Sequence, residues 1–447
     1  AASRAAPRGL HTDGEVDEWI ARQRAAGTLD VQVVPLDALQ DWGTEPGSGN
    51  LVHRTGRFFS VLGLDVQQRT GLREIPWDQP IIEQPEVGIL GVLAKRIGGV
   101  LHFCLQAKEE PGNIGAVQLS PTVQATFSNY TRAHRGAEPP FLALFTAPAP
   151  ESVVFARLQT EDGSRFLHKS NRNMVVLVGD EVPDEVPGPF LWLTLRQIAQ
   201  LLRRDNLVNA CARSVLSALA LPLSLPGGRG PAAGPGAGGA DIRETLQWLD
   251  DIRAGVHLRV KRIGLNELDE WERDVKGYFS HHEGRYFRLV GLRVSSEHRE
   301  VRRWDQPIIE NAARGIIGLL VRHGAGGLEC LLQARPEPGN RPAVQVGPTV
   351  QFTPGNYCAN PKLPRPFLLE EFSQPGRFPL LLETLQAEEG ARFFRECHTH
   401  RVLMLPPGTE LEPPRGYRWV PEAHLRFLLH LGEQVNSCAR SIVGCLL

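Results

Sequence analysis

The sequence of 447 residues has almost no net charge and no long apolar segment. Its 49 lysines and arginines are balanced by 50 aspartates and glutamates, which leaves a formal charge of −1. Proteins that bind nucleic acids or anionic membranes usually carry an excess of basic residues, so this balance argues against both partners. No apolar run approaches the roughly 20 residues needed to cross a bilayer. Hydrophobic residues still make up 42% of the chain, which predicts globular domains with sizeable cores.

Motifs for metal binding, disulfides and several common chemistries are also missing. The seven cysteines include no Cys-x-x-Cys pair, which predicts a reducing cytoplasm, cysteines packed as small core residues and no structural zinc. Neither a Walker phosphate loop nor a Gly-x-Ser-x-Gly nucleophile elbow occurs. Ala1–Thr12 has no apolar core of the kind found in secretory signals. We expect residues 1–14 to form a disordered tail.

The sequence does contain a long internal repeat. Trp-Asp-Gln-Pro-Ile-Ile-Glu occurs at 77–83 and again at 304–310, an offset of 304 − 77 = 227 residues. The same offset relates Glu-Pro-Gly-Asn at 110–113 to the copy that begins at Glu337, and Cys-Ala-Arg-Ser at 211–214 to the copy that begins at Cys438. Matches in a single register indicate a tandem duplication. We therefore predict two homologous modules, at residues 15–222 and 241–447.

A segment rich in glycine and proline separates the two modules. Ten of the fifteen residues from Pro226 to Ala240 are glycine or proline. Such a segment cannot bury a core and is typical of a flexible tether spanning roughly 20 Å. We place this linker at residues 223–240. Its Gly-x-Gly-x-x-Gly spacing at 234–239 has no strand before it and no helix after it, so it does not predict a dinucleotide site.

Strand and helix patterns are mixed within each module. Gly88–Ile97 and Leu101–Ala107 are apolar segments joined by Gly98-Gly99, which predicts a β-hairpin. Each module begins with an amphipathic pattern, around Trp19 or Trp248, and ends with apolar residues three and four apart. The terminal patterns predict helical structure at Leu195–Leu219 and Pro421–Leu446. We expect two tandem α+β or α/β sandwich modules.

Val117–Phe127 alternates between polar and apolar residues, which predicts a strand with one polar face. Amide and hydroxyl groups both donate and accept hydrogen bonds, so this face fits a sugar or a base edge; an exposed sheet face is the alternative. The polar positions of the first module are Gln118, Ser120, Thr122, Gln124 and Thr126. Those of the second module are Gln345, Thr349, Gln351 and Thr353.

A second polar group ends the predicted hairpin. Residues two apart on a strand share a face, and the residues in question are Gln106, Lys108 and Glu110 in the first module and Gln333, Arg335 and Glu337 in the second. A cation beside an amide fits a phosphate or a developing oxyanion. A surface salt bridge is the alternative.

Arginines and tryptophans of the repeat each allow two interpretations. Arg213 and Arg440 lie in the repeated Cys-Ala-Arg-Ser, where a buried guanidinium needs a diphosphate or else a carbonyl or carboxylate of the core. Trp77 and Trp304 begin the repeated heptapeptide and either stack on a nucleobase or pack in the core.

His398 and His400 lie two residues apart on a predicted strand. Two such histidines can reach one metal ion, but no third ligand is evident. We expect a surface pair and no metal site.

The longest motifs resemble those of the NDP-hexose 2,3-dehydratases, bacterial enzymes of deoxysugar biosynthesis. The similar segments are Trp-Asp-Gln-Pro-Ile-Ile, Gln-Ala-Lys-x-Glu-Pro-Gly-Asn at 106–113, Ser-Pro-Thr-Val-Gln-Ala-Thr-x-Ser-Asn-Tyr-Thr at 120–131, and Asn-Arg-Asn-Met-Val-Val at 171–176. The resemblance covers both modules and nearly the whole chain outside the tail and the linker.

The resemblance implies a fold, an assembly and a chemistry. Members of the family are internally duplicated, with each half similar to a Nudix-type sandwich, and a homodimer is implied. A Nudix hydrolase binds its metal through the box Arg-Glu-x-x-Glu-Glu, and the nearest fragment here is Glu388-Glu389-Gly390. We therefore expect no metal and no cofactor.

The implied substrate is an NDP-4-keto-6-deoxyhexose, usually the dTDP-glucose derivative. Loss of water across carbons 2 and 3 gives a 3,4-diketo-2,6-dideoxy sugar, which a separate 3-ketoreductase uses. We expect a nucleotide-sugar site in each module. Asn171–Met174 matches the family pattern, whereas 398–401 departs from it, which favours the first module as the reactive one.

Two catalytic candidates follow from this resemblance and from the strand patterns. Lys108 is the candidate for stabilising the enolate or acting as base, and Tyr130 for protonating the leaving hydroxyl. The candidates for substrate binding are Trp77, Gln79, Gln106, Gln118, Thr122, Gln124, Asn129, Arg172, Arg213, Trp304, Gln306, Gln333, Arg335, Gln345, Thr349, Gln351, Asn356, Tyr357 and Arg440.

Two other functions remain open on the sequence. One is a Nudix-like nucleotide-sugar hydrolase, against which the missing metal box argues. The other is a non-catalytic nucleotide-sugar-binding module.

Overall fold

The computed structural model describes residues 2–6, 9–70, 73–126, 139–220, 223, 241–297, 301–359 and 364–447. Of the predicted linker only Leu223 is therefore described. The candidates Asn129 and Tyr130 also lie outside the described residues.

The chain is a mixed α+β protein with two repeated halves. The strands of the first half are β1 (Asp30–Val34), β2 (Trp42–Thr44), β3 (Leu51–His53), β4 (Ser60–Thr70), β5 (Arg73–Glu83), β6 (Gly88–Ile97), β7 (Val100–Glu109), β8 (Val117–Pro121), β9 (Val123–Ala125), β10 (Val153–Thr160), β11 (Phe166–Leu167), β12 (Ser170–Val178) and β13 (Phe190–Thr194). Those of the second half are β14 (Val256–Ile263), β15 (Trp271–Arg273), β16 (Phe279–His281), β17 (Arg288–Ser295), β18 (Arg303–Glu310), β19 (Gly315–Gly324), β20 (Gly327–Pro336), β21 (Val344–Gly347), β22 (Val350–Phe352), β23 (Leu380–Ala387), β24 (Phe393–Phe394), β25 (Cys397–Met404) and β26 (Tyr417–Pro421).

Short helices connect and cover the strands. The α-helices are α1 (Ala2–Ala5), α2 (Asp13–Ala25), α3 (Ala143–Thr146), α4 (Leu195–Leu202), α5 (Ala210–Leu216), α6 (Ile242–Gly255), α7 (Pro354–Ala359), α8 (Leu369–Ser373), α9 (Glu422–Leu431) and α10 (Ser437–Gly444). Single 3-10 turns occur at Leu36–Ala38, Pro150–Ser152, Ser217–Leu219 and Leu265–Glu267. Within the described residues, no helix has both the length and the apolar character needed to cross a membrane.

Each half contains one large mixed sheet. In the first half the strand order is β10-β12-β6-β7-β13, with β8 added to β7 and β9 to β6. In the second half the order is β21-β20-β19-β25-β23, with β22 on β19 and β26 on β20. The predicted hairpin is confirmed as β6–β7, and β19–β20 repeats it in the second half; both pairs are antiparallel and joined by tight glycine turns.

The two halves exchange strands in their smaller sheets. β14 of the second half pairs with β4 of the first, from Val256 opposite Thr70 to Ile263 opposite Gly63. In return β1 of the first half pairs with β17 of the second, from Asp30 opposite Ser295 to Val34 opposite Gly291. Each half therefore completes a sheet of the other, and the main hydrophobic core contains buried residues from both.

The terminal helical pattern of each half is confirmed, and it forms two helices separated by a turn. α4 and α9 end before a turn in which Asn206 and Glu433 adopt left-handed conformations, with φ of 54° and 53°. The next helix then begins with its own cap, because the side chains of Asn209 and Asn436 accept hydrogen bonds from Ala212 N and Ala439 N. The apolar periodicity continues across the break because each of the two helices has its own buried residues.

The predicted polar strand at 117–127 is also divided. β8 pairs with β7 and β9 pairs with β6, so the segment crosses from one strand of the hairpin to the other. Thr122 lies at the crossing, where its Oγ accepts from Leu93 N at 3.0 Å and donates to Cys104 O at 2.5 Å. Thr349 makes the equivalent contacts in the second half. These hydroxyls replace backbone hydrogen bonds of the separated strands.

The expected disordered tail is ordered in part. α1 packs against the first half, where the Ser3 hydroxyl donates to Leu101 O at 2.6 Å and accepts from Leu195 N at 2.9 Å. Thr12 caps α2 through a capping box with Glu15. The prediction that residues 1–14 are disordered is therefore wrong for Ser3 and Thr12, whose side chains form hydrogen bonds with the backbone.

The cysteines behave as the sequence predicts. Five of the described cysteines are buried with free thiols, namely Cys104, Cys211, Cys330, Cys438 and Cys445. Burial raises the pKa of the Cys104 thiol to about 12 and that of Cys445 to about 11. These side chains therefore serve as small core residues.

The repeated Glu-Pro-Gly-Asn run lies where the two halves cross. Gly112 N donates to Gly390 O, and Gly339 N donates to Gly163 O, each at 2.7 Å. A methyl group on Gly112 would overlap the carbonyl oxygen of Phe393 and lie 2.7 Å from that of Gly390. Only glycine permits this close approach of two backbones.

Substitution of Gly112 by alanine should destabilise the protein by about 3 kcal/mol, because the backbone of the second half cannot move aside as a flexible side chain would. Thermal or urea unfolding would measure the loss. Gly43→Ala is the matched control, since a methyl group there has no neighbour within 4 Å. Equal stability of the two variants would contradict a rigid crossing.

Candidate active site between the halves

A narrow cleft forms where each half meets a carboxylate-bearing turn of the other. We define the first acidic turn as Glu161-Asp162-Gly163 and the second acidic turn as Glu388-Glu389-Gly390; they are related by 388 − 161 = 227 residues. The cleft between them is lined by Glu161, Asp162, Phe166, Ala210, Cys211, Ser214, Glu388, Glu389, Phe393, Ser437, Cys438, Arg440 and Ser441.

The first cluster joins residues of the first half to the second acidic turn. Gln124 Nε2 donates to Glu110 Oε1 at 2.9 Å and to Glu389 Oε1 at 3.2 Å. Asn209 Nδ2 donates to Gln124 Oε1 at 3.1 Å, which fixes the orientation of that amide. Lys108 Nζ lies 3.1 Å from Glu110 Oε1. A lysine, an amide and two carboxylates are thus brought together from both halves.

The fold positions this cluster through backbone contacts. Lys108 is on β7, and Asn113 holds the following turn by donating to the carbonyls of Lys108 and Ala116 at 3.0 and 2.9 Å. The second acidic turn is fixed by Arg213, whose guanidinium donates to Ala387 O at 2.7 Å and to Gln386 Oε1 at 3.1 Å. Gly390 O, after Glu389, accepts from Gly112 N, so the backbone is held on both sides of Glu389.

Burial raises the pKa of the Glu389 carboxyl to about 7. The neighbouring carboxylates Glu110 and Glu161 act in the same direction, whereas Arg392 and Lys108 lower the pKa. Glu389 is consequently able to exchange a proton near neutral pH.

The second cluster repeats these residues with a different hydrogen-bond pattern. Glu337 Oε1 accepts from Arg335, Gln351 and Asn436 at 3.2, 3.1 and 3.2 Å, and its Oε2 accepts from Asn340 at 2.7 Å. Both oxygens of Glu337 are therefore occupied. In the first cluster Glu110 Oε2 is buried and has no hydrogen-bond partner among the described residues.

The two acidic turns also differ in the carboxylate at their middle position, which is Asp162 in the first and Glu389 in the second. Asp162 is one methylene shorter than Glu389, and its Oδ1 accepts from the amide and the hydroxyl of Ser164 at 2.8 and 2.7 Å. Asp162 thus stabilises its own turn. Position 391, which corresponds to Ser164, is an alanine, so Glu389 has no such local partner.

His398 and His400 are not the expected surface pair. His400 is fully buried and its Nε2 lies 2.8 Å from Ser441 Oγ. His398 lies 3.5 Å from Glu388 and 3.7 Å from Glu396. Burial lowers the pKa of His400 well below its usual value, and the charge of Arg213 acts in the same direction. Among the described residues, no group of three or more potential ligands is arranged to hold a metal ion.

The cleft is small. Its free space is about 30 Å³, room for about two water molecules. A hexose does not fit inside it, so a sugar at the first cluster would bind on the side of Lys108, whose side chain is 23% exposed. A larger surface cavity of about 360 Å³ lies between α2 and residues 184–192 and contains none of the candidate residues.

The repeated tryptophan and glutamine contact the backbone that follows each acidic turn. Trp77 Nε1 donates to Gln79 Oε1 at 3.0 Å, and Gln79 Nε2 donates to Ser164 O at 2.7 Å. Trp304 and Gln306 repeat these contacts, with Ala391 O as the acceptor at 2.8 Å. The motif therefore positions both turns.

The strand amides are distributed unevenly. Gln118 is 1% exposed and neither polar atom of its amide has a partner among the described residues. Gln345 is equally buried, accepts from the Thr160 hydroxyl and donates to Glu433 O, both at 2.9 Å. Gln124 and Gln351 are the strand amides that reach the two clusters.

The arginine candidates occupy different environments. Arg213 and Arg440 are fully buried between the halves and donate to backbone carbonyls and to Ser441 and Ser214. Both guanidinium groups thus have the core partners that the second interpretation required. Arg172 is exposed on β12, whereas Asn171 and Asn173 beside it are buried.

The remaining candidates make no hydrogen bond to either cluster in the described part of the chain. Gln106 and Gln333 are half-buried on β7 and β20. Asn356 and Tyr357 are on α7, and the ring of Tyr357 lies 6.1 Å from that of Phe352.

Sequence reasoning missed Glu389 and Asn209 as site residues. The repeat contained a signal for Glu389, because the two acidic turns are related by the same offset as the other motifs. Nothing in the linear order of residues indicated that Glu389 would reach the half opposite its own.

Known proteins are similar to this chain along nearly its full length. A family model described as NDP-hexose 2,3-dehydratase matches residues 13–219 and 242–446. A dTDP-4-dehydro-6-deoxy-alpha-D-glucopyranose 2,3-dehydratase of Amycolatopsis orientalis is 41% identical over 457 aligned residues, covering 100% of this chain and 93% of that protein. Proteins of the same name from Saccharopolyspora spinosa and Streptomyces violaceoruber are each 39% identical over 96% of this chain and cover 90% and 95% of their own lengths.

Proposed function

The chain belongs to the NDP-hexose 2,3-dehydratase family, and from this membership we propose how and where it acts. It is a carbon–oxygen lyase of deoxysugar biosynthesis that removes water from dTDP-4-dehydro-6-deoxy-D-glucose. The observation that carries this conclusion is the similarity of about 40% identity to three such dehydratases along essentially the whole chain.

The chemistry requires a base, an acid and a group that stabilises negative charge. The proton on carbon 3 is acidic because carbon 4 is a ketone, and its removal gives an enolate. The enolate then expels the carbon 2 hydroxyl, which leaves as water once it is protonated. The resulting enol tautomerises to the 3,4-diketo-2,6-dideoxy sugar. None of these steps transfers a hydride, so the proposed sequence uses no nicotinamide.

We place this reaction at the first cluster. Lys108 is proposed to stabilise the enolate oxygen, because its ammonium is half-buried beside two carboxylates and an oriented amide. Gln124 is proposed to help orient the sugar. Tyr130, the candidate that the sequence offers for protonating the leaving hydroxyl, lies outside the described residues and is the alternative to a carboxyl acid of the first cluster.

The remaining features of the function are proposals as well. We propose that each half is a Nudix-type sandwich that has lost metal-dependent hydrolysis, with a nucleotide-sugar site in each half. A homodimer in the cytoplasm, which passes its product to a 3-ketoreductase, completes the proposal. The free thiols of the described cysteines are consistent with a reducing compartment.

The test is turnover of dTDP-4-dehydro-6-deoxy-D-glucose in an assay coupled to a 3-ketoreductase, which traps the unstable product. We expect dehydration without added metal. Release of free nucleotide in the presence of magnesium would instead support a hydrolase. Binding of the dTDP-sugar without any turnover would support a non-catalytic module.

A further inference from the structure

We propose that Glu389, contributed by the second half, is the proton-transfer residue of the first-half site, taking the carbon 3 proton and delivering it to the departing carbon 2 hydroxyl. This inference rests on the proposed function. It makes the active site composite, so that neither half contains all of its chemistry.

The geometry favours Glu389 over the other acidic residues of the cleft. Its Oε1 accepts from Gln124 Nε2 at 3.2 Å, and the same nitrogen donates to Glu110 Oε1 at 2.9 Å. Glu110 is in turn paired with Lys108 at 3.1 Å. Glu389 is therefore held one amide away from the lysine that we propose for the enolate, although it is separated from that lysine by 281 positions in the sequence.

The first cluster also contains a buried acceptor that no described residue occupies. Glu110 is 6% exposed, and its Oε2 has no hydrogen-bond partner among the described residues. Its counterpart Glu337 has both oxygens bonded within the protein. A buried acceptor without a partner is costly, and the hydroxyl of a bound sugar supplies the missing donor.

The proposed step is balanced in atoms and electrons. The Glu389 carboxylate takes the proton from carbon 3, and the electron pair of that bond forms the carbon 3–carbon 4 double bond while the ketone oxygen becomes an enolate. The enolate then re-forms the ketone as the carbon 2–oxygen bond breaks and the carbon 2–carbon 3 double bond forms. The Glu389 carboxyl returns its proton to the leaving hydroxyl, which departs as water.

The charges around Glu389 suit a group that takes and returns a proton. Burial raises its pKa to about 7, so both protonation states are accessible in the cell. The charged groups that face it are Glu110, Glu161, Arg392, Lys108 and Lys169. Carboxylates and cations are nearly balanced, which avoids holding Glu389 permanently in one state.

The second cluster lacks this arrangement. Asp162 corresponds to Glu389, but it is shorter and its Oδ1 is bonded to Ser164, and no hydrogen bond joins it to Gln351 in the part of the chain that the structure describes. The chain thus supplies its own matched control, in which a carboxylate at the equivalent position has a local structural role.

The test compares Glu389→Gln with Asp162→Asn in the full-length protein. Both changes remove a charge and retain an acceptor oxygen. Two reactions of dTDP-4-dehydro-6-deoxy-D-glucose would be followed. One is dehydration in the coupled assay. The other is exchange of the carbon 3 hydrogen for deuterium in the substrate when deuterium oxide is the solvent. We expect Glu389→Gln to lower both rates by about 10²–10⁴-fold and Asp162→Asn to cause a much smaller loss, through its turn alone.

Two further measurements separate chemistry from folding and binding. Calorimetric affinity for dTDP and the unfolding temperature should change little in Glu389→Gln, because the amide still accepts from Gln124. The wild-type exchange rate should rise with pH through about 7 as Glu389 ionises, and Glu389→Gln should abolish that rise. Glu389→Asp should retain a pH-dependent but reduced rate, because aspartate keeps the carboxyl group but its shorter side chain holds that group farther from the sugar.

Each outcome decides between explanations. Exchange and dehydration in Glu389→Gln within about threefold of wild type would overturn the inference, as would an equal loss in Asp162→Asn. If the wild-type protein itself neither exchanges nor dehydrates this sugar, the proposed function fails before Glu389 is tested.

Discussion

Alanine in place of Lys108 should lower the dehydration rate by about 10²–10³-fold, whereas alanine in place of Arg335 should retain most activity. One preorganised donor to a developing oxyanion is worth about 2.7–4 kcal/mol, which corresponds to this loss. Lys108 lies in the cluster that Glu389 reaches. Arg335 pairs instead with Glu337, whose oxygens are already occupied.

The measurement is the coupled assay with both variants at saturating substrate, supported by calorimetry with dTDP. Lys108→Arg is a useful third variant, because it keeps the charge while changing the shape of the donor group. A large loss in Arg335→Ala with a small one in Lys108→Ala would move the reaction to the second half. Small losses in both would remove these residues from the chemistry.

Neither half should fold stably when residues 1–222 and 241–447 are produced separately, but co-production should give an active one-to-one complex. Each half alone lacks a strand of its smaller sheet, because β14 pairs with β4 and β1 with β17. It also exposes the buried contact of α5 with α10, where Arg213 and Arg440 would lose partners in the opposite half. Each lost hydrogen bond of a guanidinium group costs about 1.5–3 kcal/mol, and the apolar surface around it becomes exposed to water.

Size-exclusion chromatography and circular dichroism would test each half alone and both together. The control is the intact chain cut in the linker, where trypsin should cleave near Arg229. We expect the two fragments to remain associated and active, because the contacts between halves do not depend on the linker. A half that unfolds cooperatively at the temperature of the intact protein would disprove this interdependence.

The sequence by itself determined the duplication, the mixed α+β class, the hairpins and the family. Local patterns are sufficient for these features, because hydrophobic periodicity and glycine turns act over a few neighbouring residues. The offset of 227 residues likewise needs no structure to be seen. The same patterns pointed to Lys108 and Gln124, since both lie on strands whose polar positions recur in the two halves.

Only the tertiary structure decided which half completes which site. In the sequence, residues 388–390 were only the nearest fragment to a Nudix metal box that the chain lacks, yet Glu389 lies beside Gln124 of the other half. Arg213 likewise shows no sign in the sequence that it holds residues 386 and 387. Two similar halves can pair their turns and strands within one half or between halves with the same local patterns. The choice is made by long-range packing, in which the backbones at Gly112 and Gly390 meet and the strands β1 and β14 cross over.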